Sequence, residues 1–116
     1  MTPEDYIDGL LAPLVAGRVF PDVAPQGATV PYITYQAVGG DPINFLTGEA
    51  PDKSNTRMQV NVWAATRLEA AELGSQVEAA VRSAAQLQPE VLTGRVATYD
   101  DLTLHRGTMQ DFSLFC

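Results

Sequence analysis

Ile7, Leu10, Leu11, Leu14 and Val15 recur at the spacing of one helical face, so the chain is expected to open on an amphipathic helix. Its start is marked. Thr2 suits the cap, Pro3 the first helical position, and Glu4 and Asp5 complement the positive end of the helix dipole. Pro13 has no N–H and crowds the carbonyl of Gly9, which predicts a kink or a tightened turn. The helix should be over by Gly17.

A different pattern follows at residues 18–36, "RVFPDVAPQGATVPYITYQ". Val19 and Phe20 are apolar enough to dock on the core as a short extended piece. Pro21, Pro25 and Pro31 each fix their own φ and push the preceding residue out of the α region, with a turn at Gly27. This connection reads as extended and stiff. A strand over 32–38 then puts Ile33, Tyr35 and Ala37 on one face and Tyr32, Thr34 and Gln36 on the other. Residues 39–56 have no period and are rich in Gly, Pro, Asp, Asn, Ser and Thr, so they read mostly as loop. Ile43, Phe45 and Leu46 within it are either tucked onto the domain or waiting for a partner.

The clearest strand spans 56–66. Met58, Val60, Val62 and Ala64 face the core, and Arg57, Gln59, Asn61 and Trp63 face away. Trp63 either covers a core edge or anchors an interface, where tryptophan is over-represented. Thr66 to Glu69 spells a capping box, opening a helix whose buried stripe is Leu73, Val77, Ala80, Val81 and Ala84 and which Pro89 ends. The last third reads as a strand pair, with possible turns at Asp100–Asp101 and Arg106–Gly107, and with Phe112 and Leu114 alternating against Asp111 and Ser113. This order predicts a single α+β domain over residues 1–116. Its mainly antiparallel sheet should have about four strands, with two helices packed on one face.

Charge narrows the function. Seven basic against fourteen acidic residues leave a net charge of −7, and Lys53 is the single lysine. Stable gripping of nucleic acid needs clustered Lys and Arg, so it is not expected. No apolar run approaches the ~20 residues that span a bilayer, so no membrane partner is expected. The acidic start is also unlike a secretion signal. With one cysteine, Cys116, and one histidine, His105, neither an internal disulfide nor a zinc site of familiar spacing can be built. Asp100 and Asp101 are strand neighbours that would point apart, and no serine has a nucleophile-elbow setting. The expectation is a protein that is not an enzyme and takes no cofactor or metal.

The segment "RVFPDVAPQGATVPYITYQAVGG", then "TRMQVNVWAATRLEAAELGSQVEAAV" and the closing "MQDFSLF", resembles the tail-completion, or tail-terminator, proteins of tailed bacteriophages and prophages. The likeness runs from Val19 to Phe115, and departs from the family in a short final hairpin between Gly94 and Gln110. It implies a structural protein of the virion tail and neck, assembled in the host cytoplasm. The resemblance further implies a homo-oligomeric, hexameric ring that caps the tail tube protein, meets the head–tail connector and lets DNA pass through its lumen without stable binding. It carries over no catalytic residues. A ring needs an accurate angle between subunits, and stiff prolines lose less entropy when fixed against a neighbour. Pro25, Pro31, Ile43, Phe45, Leu46 and Trp63 are therefore the candidate subunit-interface residues. The prolines serve equally well as a plain helix-to-strand connection. The alternative function is a small-ligand-binding or regulatory α+β module, since fold does not fix function.

Overall fold

A computed structural model describes residues 1–48 and 52–116 of the chain. It contains helix α1 (Pro3–Leu11), strands β1 (Val19–Pro21), β2 (Tyr32–Ala37) and β3 (Asn55–Ala64), helix α2 (Arg67–Ser83), and strands β4 (Glu90–Val91), β5 (Val96–Tyr99) and β6 (Arg106–Phe115). One six-stranded sheet runs in the order β1-β2-β3-β6-β4, with β5 also paired to β6. The α+β class stands, but four antiparallel strands become six in a mixed sheet. Val19 and Phe20, expected as a docked extended piece, form β1 and pair parallel to β2. Short β4 pairs with the C-terminal half of β6, and β5 with its N-terminal half.

Both helix starts are set by threonine. Thr2 accepts from Asp5 N at 3.2 Å while the Asp5 carboxylate takes the Thr2 N–H at 3.0 Å, a complete capping box. At the second helix Thr66 accepts from Glu69 N at 3.2 Å, but the return bond from Glu69 is absent among the described residues. The reciprocal box therefore forms at Thr2 and Asp5, where it was expected only at Thr66 and Glu69. Pro13 tightens the chain as expected. The helix gives way to a 3-10 turn over Ala12–Val15 and stops where Ala16 and Gly17 take positive φ of 51° and 83°. Helix α2 ends at Ser83, ahead of Pro89, and a further 3-10 turn (Ala85–Leu87) buries Leu87.

The core lies between the helices and one face of the sheet. Met58, Val60 and Val62 from β3 meet Leu73, Val77 and Val81 from α2, with Ile7 and Leu11 from α1 and Phe112 and Leu114 from β6. Arg106 and Gly107, expected as a turn, are instead the first residues of β6, opposite Ala64 and Trp63. The turn lies at residues 100–105, where Asp100 N donates to His105 O at 3.1 Å and Leu102 N to Asp100 Oδ1 at 2.9 Å. Side-chain bonds of Asp100 to this turn are a usual aspartate device.

Candidate functional site

The second face of the sheet is not open water. Tyr32 and Thr34, on the side of β2 away from the helices, are buried like their core-facing neighbours Ile33 and Tyr35. The cover is the proline-rich connection. Parallel β1 and β2 require a return path, and parallel neighbours are more often joined by a helix. Here residues 22–31 make the return without one, and residues 22–28 wall a cleft of about 610 Å³ whose floor is Tyr32, Thr34, Asn61 and Trp63.

The hairpin of β5 and β6 closes the other side. His105 Nδ1 lies 3.2 Å from the Tyr32 hydroxyl, and the two rings meet edge to face at 5.7 Å. Phe20 adds a second edge contact to Tyr32 at 6.2 Å. Asp100 and Asp22 supply carboxylates, and among the described residues neither Lys nor Arg lines the cleft. The backbone N–H of Leu102 holds the Asp100 carboxyl below its ordinary value, helped by Thr103 and the nearby His105. Burial, reinforced by the Asp100 charge, pushes the Tyr32 hydroxyl up. The Asp100 carboxylate, anionic at neutral pH, thus stands beside the neutral Tyr32 phenol. Among the described residues no three His, Cys, Asp or Glu side chains are grouped to hold a metal ion. Nor is any described helix long and apolar enough to cross a membrane.

The six candidate interface residues do not gather at one place. Pro25 and Trp63 share the cleft. Pro31 borders a smaller hollow with Leu14, Ala64 and Leu73 on the helix side. Ile43, Phe45 and Leu46 lie in the 38–54 connection, at the end of the sheet marked by Asn55 and Cys116. Of the expected 39–56 loop, residues 49–51 fall outside the described residues, and 55–56 belong to β3. The near part of this loop is tethered. Arg57 N donates to Gly39 O at 2.8 Å, Asp41 N donates to Asn55 Oδ1 at 2.8 Å, and Gly40 packs so closely on the Asn55 carbonyl that a Cβ there would overlap it. Beyond it, Phe45 is 49% exposed and Leu46 is fully exposed. Sequence reasoning missed the grouping of Tyr32, Asp100 and His105. The only signal for it was that Tyr32 and Trp63 both fall on the otherwise polar faces of their strands.

The gp17 protein of bacteriophage SPP1 has a similar fold: TM-score 0.50 at 16% identity, over 97% of this chain and 87% of that one. No curated protein matches this chain in sequence. A family model described as tail completion protein gp17 matches residues 8–114, and the chain therefore belongs to that family of structural proteins of the bacteriophage tail.

Proposed function

We propose that this protein works as one domain that caps the phage tail tube as a homo-oligomeric ring, hexameric as the resemblance to the tail-completion family implies, and presents the surface to which the head connector joins. It performs no chemistry. Its place is the tail and neck of the virion, reached after assembly in the host cytoplasm. The net charge of −7 suits a lumen through which DNA passes without adhering.

The observation that carries the ring is the separation of two apolar projections. Phe45 and Leu46 stand exposed past the Asn55 end of β3, whereas Leu102 and Leu104, 92% and 62% exposed, stand at the hairpin tip past its Ala64 end. Apolar side chains in water cost free energy that burial against a partner recovers. Two unlike sticky ends on one elongated body, 52 Å along its longest axis, favour a head-to-tail contact, and such contacts make rings when the rotation closes. Electron microscopy of the purified protein mixed with tail tubes tests this. A ring at one end of each tube is expected, and tubes left bare at both ends overturn the proposal.

A further inference from the structure

We propose that the cleft beneath the proline-rich connection is a recognition site for an arginine side chain presented by another protein of the tail. Its floor offers the rings of Tyr32 and Trp63, and its walls the carboxylates of Asp22 and Asp100, with neither Lys nor Arg among the described lining residues. Thr34 is only 7% exposed and lies on the same floor. A planar guanidinium meets both the rings and the carboxylates. It stacks on aromatic faces and donates to carboxylates in fixed directions. An anion would face two like charges, and a purely apolar ligand would strip water from both carboxylates without replacing it. An ammonium satisfies the charge but not the flat rings.

The guanidinium is assigned to another protein because each of this chain's six arginines already has a partner within it. Arg18 donates to Pro31 O and Arg57 pairs with Asp111. Arg67 donates to Thr98 O and Gly107 O, and Arg82 and Arg95 share Glu78. Arg106 donates to Leu104 O and lies 4.3 Å over the Tyr99 ring. The acidic balance of the whole chain adds long-range attraction for a basic partner.

That the partner is a tail protein rests on the function proposed above, but the cleft can be tested without it. Trp63 is the single tryptophan, so its fluorescence reports on the cleft floor directly. The full chain is titrated with N-acetyl-arginine amide and with N-acetyl-citrulline amide, which keeps the shape and loses the charge. A saturable change with the arginine probe is expected, with citrulline at least about tenfold weaker. Asp22→Asn combined with Asp100→Asn should weaken the arginine probe by about tenfold and leave the circular dichroism unchanged. Equal responses to the two probes, or an unaltered titration of the double variant, overturn the proposal. Loss of self-association in the double variant, seen by sedimentation, also overturns it, by assigning the cleft to a second copy. The tube-capping experiment stands apart, so either reading can fail while the other survives.

Discussion

The ring of Trp63 lies across the backbone of Gly107, the residue directly opposed to it in the pairing of β3 with β6. A Cβ at Gly107 would come within 2.8 Å of Trp63 Cε3 and would also overlap the Thr98 hydroxyl. Glycine is needed here for closeness rather than for an unusual φ. Overpacking of this kind costs about 1–3 kcal/mol, so Gly107→Ala should lower stability by about that much. It should also alter the Trp63 emission. Gly94→Ala, where a Cβ meets nothing within 4 Å, should stay within about 0.5 kcal/mol of wild type by denaturant titration.

Val77, 2% exposed, sits between α2 and the sheet. Val77→Asp buries a charge that has no partner, and should cost about 4 kcal/mol or more, enough to unfold most small domains. Ala79→Asp, on the exposed side of the same helix, should melt close to wild type. Similar melting of the two variants would mean that the buried stripe of α2 is misassigned.

Arg67 at the start of α2 donates to Gly107 O and to Thr98 O, each at 2.6 Å, and so clasps both strands of the hairpin. Replacing it with methionine keeps much of the stem and removes the fork. Hydrogen bonds from a charged donor contribute about 1.5–3 kcal/mol, and a loss of about 2 kcal/mol is expected. The readout is faster amide exchange over residues 96–109, with α1 unchanged.

Glu78 gives an acid-sensitive joint. The bond from Gln110 Nε2 at 2.7 Å, followed by Arg82 and Arg95, holds its carboxyl below the ordinary value of 4.5. A lowered folded value means that the ionised form is favoured by folding. Its stabilisation is therefore complete above about pH 4.5 and is lost as pH falls through the lowered value. Glu78→Gln should reduce stability near neutral pH and flatten the acid limb of the Tm profile. Unchanged steepness below pH 4.5 would show that the acid sensitivity arises elsewhere, as at Asp5 or Asp100, whose carboxyls are also lowered.

Leu46 is fully exposed, whereas Phe45 is about half exposed. Leu46→Ser should therefore leave the melting temperature of the free subunit within a degree or two and Phe45→Ser should lower it modestly, while the two together abolish ring formation on tail tubes. Amide exchange over residues 43–48 should slow on assembly of the unmodified protein. Rings formed normally by the double variant would remove this loop from the subunit contact.

The periodic parts of the fold were legible in the sequence because local geometry imposes them. Met58, Val60 and Val62 at period two and Leu73, Val77 and Val81 at helical period meet in one core, as their spacing predicts. Thr66 starts α2, and Pro13 ends the regular part of α1, for reasons confined to a few neighbouring residues. The ordered motifs from Val19 to Phe115 also pointed to the family whose model matches residues 8–114. Tertiary structure decided the rest. Whether Val19 and Phe20 pair as a strand depends on whether β2 offers an edge, since an extended tripeptide carries no partner in its own sequence. Arg106 and Gly107 look like a turn in isolation, but the hydrogen bonds of ten residues of β3 extend β6 through them. The cleft joins Asp22 and Pro25 to Tyr32, Trp63, Asp100 and His105. Stiff prolines in the sequence indicate that a connection is extended, but not which face of the sheet it crosses. That choice belongs to packing, because one face was already taken by the helices.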